Sequence, residues 1–245
     1  MIRAADNQAL SVLLPDSEAA LRILGTAAAY GTDRPFCRFW TDENGGALMI
    51  AEGVATLHAP SCADEWLTFL TMSPEVHTVR TDAKTARELA VLWGAKAECG
   101  EVMRAGDVSV CGAATVTPPA PLYPLIASVF GEAVPPFDGW YADVHHRLRR
   151  GRFHARAMRE GGEVRSCAMT VAECDAAALL GAVATTPAAR GRGLASACVT
   201  ALTHDCRQNG QEVYISPKNA AAAALYACLG FTVCGEWGKV QRREE

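Results

Sequence analysis

From Arg152 to Met158 the chain alternates cleanly, with Arg152, His154 and Arg156 on one side and Phe153, Ala155 and Ala157 on the other. A period of two predicts a strand with one buried face. Just upstream the period changes: Trp140, Val144 and Leu148 recur every four residues, which predicts a helix over Gly139–Arg150, preceded by another over Leu122–Phe130. Val164–Glu173 and Ala177–Thr185 read as two strands joined by a polar turn at Cys174-Asp175. A helix follows over Leu194–Gln208, with Leu194, Cys198, Ala201 and Leu202 on one stripe and Gly210 beyond its end. Val213–Ser216 is the next strand. Asn219 suits the N-cap of a helix that runs through Leu229 and stops at Gly230, and Phe231–Val240 closes as a strand.

The first half of the chain carries a similar order of elements. Glu75-Val-His-Thr-Val-Arg-Thr-Asp-Ala83 runs beside Glu212-Val-Tyr-Ile-Ser-Pro-Lys-Asn-Ala220 without a gap, and Leu89-Ala-Val-Leu-Trp-Gly94 beside Leu225-Tyr-Ala-Cys-Leu-Gly230. Cys99-Gly-Glu101 then matches Cys234-Gly-Glu236, and upstream Gly53-Val-Ala-Thr56 resembles Ala182-Val-Ala-Thr185. The pattern is that of an internal repeat, against the plainer reading of alanine-rich helices aligned by chance. The first copy is about eight residues shorter between Thr56 and Asp82 than the second between Thr185 and Asn219, and the shortfall maps to Ala188-Ala-Arg-Gly-Arg-Gly-Leu-Ala195. Between the halves, Thr115-Val-Thr-Pro-Pro-Ala-Pro-Leu-Tyr-Pro124 is proline-dense and uncharged. It reads as a linker, which divides the chain into residues 1–114, 115–124 and 125–245.

Composition narrows the function classes. Half of the 245 residues are hydrophobic and 20% are charged, as expected of a folded globular chain. The net charge of −4 argues against nucleic acid as a partner. No apolar run approaches the roughly 20 residues that span a bilayer, and the N-terminus does not read as a secretion signal, so no membrane and a cytoplasmic location are expected. Ten cysteines form no CxxC pair, which favours small buried hydrophobes in a reducing compartment over zinc ligands or a nucleophile.

The candidate chemistry sits in Ala188-Ala-Arg-Gly-Arg-Gly-Leu-Ala-Ser196, between an apolar strand and a helix. Gly191 and Gly193 allow the main chain to curl tightly and to approach a ligand closely. The N–H groups of Arg190–Ser196 would converge at a positive helix end, and Arg190 and Arg192 would add bidentate donors. That combination suits a diphosphate. Taken alone, the loop also reads as a solvated surface turn. Neither a GxxxxGK(S/T) loop nor a GxGxxG turn after a first strand is present, which turns the reading away from nucleoside triphosphates and dinucleotides.

These residues resemble the GNAT superfamily of acyl-coenzyme A-dependent N-acetyltransferases, over about Leu122–Val240. Arg190-Gly-Arg-Gly-Leu-Ala195 matches the family's pyrophosphate pattern Gln/Arg-x-x-Gly-x-Gly/Ala, and Asn219 with Leu225-Tyr-Ala-Cys-Leu-Gly-Phe231 matches its asparagine and Leu-Tyr-x-x-Leu-Gly-Phe segment. The resemblance implies an α/β (α+β) fold of two GNAT-like domains, each a mixed, largely antiparallel sheet flanked by helices, the first degenerate and lacking the pyrophosphate loop. It implies acetyl-CoA as cosubstrate and no metal. Val183, Ala184 and Thr185 would offer main-chain groups to the pantetheine arm. Arg190, Gly191, Arg192, Gly193, Leu194, Ala195 and Ser196 would hold the pyrophosphate, and Asn219 the pantetheine or the start of its helix. Tyr226 would be the general acid toward the departing thiolate, or else a packed core tyrosine.

The acceptor implied is a primary amine on a small molecule or peptide. Many relatives place a glutamate on the strand equivalent to Leu179–Ala184, and this sequence has none there. Glu173, Asp175, Asp143, His145, His146 and His154 all stand as candidate bases. The arginines and histidines of Trp140–His154 either favour an anionic acceptor or form a solvated helix face. Two other functions stay open: a non-catalytic acyl-CoA-binding or regulatory protein, motivated by the missing glutamate, and an amide-forming ligase using a larger acyl donor.

Overall fold

The computed structural model describes residues 1–59 and 63–242. It contains two compact units: Met1–Val102 together with the chain from Val233 onward, and Met103–Thr232.

In the first unit the elements run β1 (Arg3–Ala4), α1 (Asn7–Leu10), α2 (Glu18–Tyr30), β2 (Cys37–Thr41), β3 (Ala47–Ala51), β4 (Val54–His58), α3 (Asp64–Thr71), β5 (Thr78–Asp82), α4 (Ala83–Leu92) and the greater part of β6 (Ala97–Ala105). Strands β1 to β4 pair antiparallel in sequence order. The crossover through α3 then makes β4 and β5 parallel. Leu48, Leu57, Trp66, Leu70, Val79 and Leu89 are fully buried in one core. Ser17 and Asp82 cap α2 and α4, accepting from Ala20 N and Thr85 N, the usual role of such residues at a helix start.

The second unit begins with the end of β6 and continues through β7 (Thr115–Val116), α5 (Tyr123–Phe130), α6 (Phe137–Arg149), β8 (Ala155–Glu160), β9 (Glu163–Glu173), β10 (Ala177–Thr185), α7 (Leu194–Gln208), β11 (Glu212–Ile215) and α8 (Ala220–Cys228). Strands β7 to β10 pair antiparallel in order, and α7 carries the chain over to β11, parallel to β10. The period-two reading of Phe153, Ala155 and Ala157 holds: all three pack with Leu122 in the turn before α5, Ile126 of α5, and Trp140 and Val144 of α6. Ala168, Leu180 and Val213 pack instead with Cys198 and Leu202 of α7. The ladder starts at Ala155 and runs to Glu160, later than the alternation from Arg152 suggested. The fold class is the one read from the sequence, with mixed, largely antiparallel pairing flanked by helices in each unit.

Three expectations change. The stretch 115–124 is not a free linker: Thr115↔Ala157 and Val116↔Arg156 pair as strand, and Thr117 and Leu122 are buried. The last strand, β12 (Phe231–Gln241), does not stay with residues 125–230, because Val233 onward belongs to the first unit and Trp237–Gln241 pairs antiparallel with β5. Nor do the cysteines all act as buried hydrophobes. Cys37, Cys167, Cys174, Cys198 and Cys206 are buried, but Cys111, Cys228 and Cys234 are exposed, and Cys62 lies outside the described residues. Burial pushes the thiols of Cys167 and Cys198 up to about 12 and about 11, which removes them as nucleophiles near neutral pH.

Each unit has a parallel pair joined through a helix, β4 with β5 through α3 and β10 with β11 through α7. The shorter spacing in the first copy falls largely in that helix, eight residues in α3 against fifteen in α7.

Candidate functional site

Strand β10 is where the second unit opens. Its parallel pairing with β11 ends at Leu180↔Ile215, and β10 continues alone on that side to Thr185. On the other side its register with β9 shifts between Gly181 and Ala184, a bulge in which Ala182 takes φ 46°. A non-glycine residue in this region costs of order 1 kcal/mol, so the surrounding pairs must hold it there. The bulge leaves Ala182 and Val183 out of the β9 ladder. Ala184 and Thr185 rejoin it, with the Ala184 carbonyl accepting from Ser166 Oγ at 3.1 Å and the Thr185 hydroxyl 2.8 Å from that same oxygen.

Beyond Thr185 a short 3₁₀ turn (Pro187–Ala189) leads into the glycine loop. Gly191 (φ 74°) and Gly193 (φ 75°) both occupy the left-handed region, and a Cβ at either would meet nothing within 4 Å. The glycines therefore serve the backbone path and leave open space above it. Gly193 is the N-cap of α7 and brings no side-chain cap, while Ala197 N donates to the Gly193 carbonyl at 3.0 Å. The first-turn N–H groups of a long helix thus face the open side of the loop, a favourable setting for an anion. Thr186 Oγ1, at the mouth of the loop, is buried and makes no hydrogen bond to the protein. A bound group that offers a donor or an acceptor there would satisfy it.

The two loop arginines are placed differently. Arg190 is exposed and its Nε donates to the Thr185 carbonyl at 3.5 Å. Arg192 is ion-paired with Glu160, at the end of β8, through both terminal guanidinium nitrogens, Nη1 at 3.2 Å. Leu194, Ala195 and Ser196 form the half-buried first turn of α7. Glu160, Thr186 and the bulge at Ala182 are absent from the sequence reading. Glu160 is far from Arg192 in the chain, and no local pattern marks the other two.

Asn219 caps α8, its side chain accepting from Ala222 N at 2.9 Å, so it serves the helix start. Tyr226 on α8 is 5% exposed and packs 6.1 Å from the Phe231 ring, in the core shared with Ala197 and Cys198. Burial raises its hydroxyl to about 12. The phenol therefore keeps its proton at neutral pH, which serves either a proton donor or a core tyrosine.

The three acidic candidates for the base are each paired with a basic side chain. Glu173 is 1% exposed and takes His154 Nδ1 at 3.0 Å. Asp143 accepts from Arg147 Nη2 at 3.0 Å, and Asp175 from Arg152 at 2.5 Å. His145 stacks on Tyr141. The basic segment Trp140–His154 is thus not a simple solvated face. Arg147 is buried, lies over Phe153 and donates to the Thr170 carbonyl, while Arg149 and Arg150 remain exposed.

Among the described residues, no helix is long and apolar enough to cross a membrane, and no three His, Cys, Asp or Glu side chains gather as a metal-binding group.

Comparison with known proteins agrees with this architecture. Residues 158–239 match the family of FR47-like proteins. No curated protein matches by sequence. Among solved structures, a GCN5-related N-acetyltransferase from Kribbella flavida is similar at a TM-score of 0.67 and 13% identity, over 96% of this chain and 98% of the other. One from Sphaerobacter thermophilus gives 0.60 and 15%, over 100% and 96%. A tandem GNAT protein from the clavulanic acid biosynthesis pathway gives 0.58 and 15%, over the whole of both chains. With the glycine loop, the interrupted parallel pair and these likenesses together, this is a protein of the GNAT fold whose residues 158–239 match the FR47-like family.

Proposed function

We propose that the chain is an acyl-CoA-dependent N-acyltransferase that moves an acetyl group from acetyl-CoA to a primary amine of a small molecule or peptide. The observation that carries the reading is the start of α7 behind Gly191 and Gly193, without a side-chain cap, which follows the stretch of β10 that has no partner on its β11 side. The N–H groups of the loop and Arg190 would take the pyrophosphate, with Arg192 joining once released from Glu160. The freed edge around Val183 would take the pantetheine arm as an added strand. Acetyl-CoA supplies an activated thioester carbonyl. The amine nitrogen attacks that carbon, the C–N bond forms, the C–S bond breaks, and Tyr226 gives its proton to the departing sulfur. The proton lost by the amine passes to a base or to water.

A specific observation keeps a second reading in view. Glu173, Asp143 and Asp175 are all engaged by basic side chains, which suits a protein that binds acyl-CoA without turning it over.

The test is thermal stabilisation by acetyl-CoA of the wild type and of Gly193→Trp, followed by measurement of free thiol with a panel of amines. A ligand at a hundredfold excess over Kd adds about 2.7 kcal/mol. A shift in the wild type that disappears in Gly193→Trp, with thiol release dependent on an amine, supports the transferase. A shift with no amine-dependent release supports the binder. No shift in the wild type with any acyl chain length overturns both.

A further inference from the structure

The first unit contains a cleft of about 380 Å³ that the function above does not use. It lies at the C-terminal ends of β4 and β5, whose parallel pairing runs from Val54↔Thr78 to Thr56↔Arg80. In sheets with parallel strands these ends are the usual place for a ligand. In chain order the cleft follows β4 and precedes α3, as the glycine loop follows β10 and precedes α7. Its volume falls within the range of roughly 300–1,000 Å³ of small-molecule sites.

The lining carries the opposite charge. The loop after β10 carries Arg190 and Arg192, whereas this cleft is lined by Asp64, Asp82 and Glu88 together with Ser17 and His58. Lys84 also lines it, 4.0 Å from Glu88 on the next turn of α4. The helix starts around the cleft use the protein's own oxygens: Ser17 Oγ accepts from Ala20 N, and Asp82 Oδ1 from Thr85 N at 3.0 Å. Their partial positive charge is therefore already met. Asp82 Oδ2 lies 3.4 Å from the Thr81 hydroxyl, which donates to it. The His58 side chain is 12% exposed, with Nδ1 2.9 Å from Ser17 Oγ. A diphosphate here would face three carboxylates. A group with several N–H donors and a positive charge would meet carboxylate acceptors there.

We infer that this cleft is a binding site for a small organic cation bearing a primary ammonium group, held by Asp64, Asp82 and Glu88 beside His58. It is separate from the coenzyme site proposed above and does not depend on it.

The probe is 1,4-diaminobutane, titrated into the intact protein by calorimetry at low ionic strength, with the His58 ring protons followed by NMR. Asp64→Asn/Asp82→Asn removes two charges, and asparagine still caps α4. The expected result is one saturable site in the wild type with a shift of the His58 signals. Affinity should fall at least tenfold in the double variant, stay unchanged in Gly193→Trp and in the surface control Glu132→Gln, and survive added inorganic diphosphate. If the double variant unfolds, Glu88→Gln replaces it, with a severalfold loss expected. No saturable binding in the wild type overturns the proposal. So does affinity unchanged in the cleft variants, or binding that leaves the His58 signals in place.

Discussion

Arg192 in the glycine loop and Glu160 at the end of β8 form a two-pronged ion pair, and the guanidinium holds the Glu160 carboxyl below its usual range. The arginine best placed to meet a diphosphate is thus partly engaged elsewhere. Both side chains are about half exposed, so water and salt screen the pair and its release costs little. In Glu160→Gln, acetyl-CoA should bind about two- to fivefold more tightly at low salt, with the difference shrinking at high salt. Calorimetry on both proteins checks it. Weaker binding in the variant would mean that Glu160 helps to shape the loop.

How much of this was legible follows from where each signal lies. Helix α7 and strand β10 run over the residues expected, because Gly193, Gly210 and the Cys174-Asp175 turn punctuate them locally. Asn219 and Gly230 bound α8 for the same reason. The exchange of β12 into the first unit was not legible. Val79 pairs with Val240, and apolar alternation in a strand says nothing about which partner it meets. Arg147 reads as one more charge in a basic helix, yet Asp143 one turn earlier and the Thr170 carbonyl allow its burial. Ala182 shows the same limit at the site, since its positive φ arises from unequal pairing of β9 and β10 and not from any residue that prefers it.

Tyr226→Phe separates a proton donor from a core tyrosine. The ring packing against Phe231 survives the change, so thermal stability should shift by no more than about 1 kcal/mol. If the hydroxyl protonates the leaving thiolate, amine-dependent thiol release should fall about 10²- to 10⁴-fold while acetyl-CoA affinity stays put. Turnover within a few-fold of wild type would return Tyr226 to the core.

The pair His154–Glu173 makes stability depend on pH. The hydrogen bond to Glu173 raises the imidazole pKa above its ordinary 6.5, against the opposing effect of burial. A raised folded value means the contribution is complete below pH 6.5 and is lost as pH climbs through the folded pKa. Wild-type stability should therefore decline through that window more steeply than that of His154→Gln. Glu173→Gln should bring the His154 titration, read by NMR, back downward and cost about 1–3 kcal/mol, because a buried polar group loses its charged partner. An unshifted His154 titration in the variant would assign the raised value to Asp205, the other nearby carboxylate.

The return of the C-terminus makes the first half dependent on the end of the chain. Trp237–Gln241 supply the antiparallel partner of β5, Val240 is fully buried with Leu89 and Val79, and Arg242 lies 4.4 Å over the Trp93 ring. Gly238 is packed so closely on α4 that a Cβ there would sit 2.3 Å from that of Ala86. A chain ending at Thr232 loses all of this at once. Hydrogen exchange should then show β5 and α4 without protection, while the amides of β9 and β10, paired inside the second unit, keep theirs. Val240→Ala gives the graded version, a loss of about 2 kcal/mol from the methyl groups removed and the cavity left behind. If β5 stayed protected in the truncated chain, the first unit would hold together without β12, and residues 1–102 would deserve expression as a domain of their own.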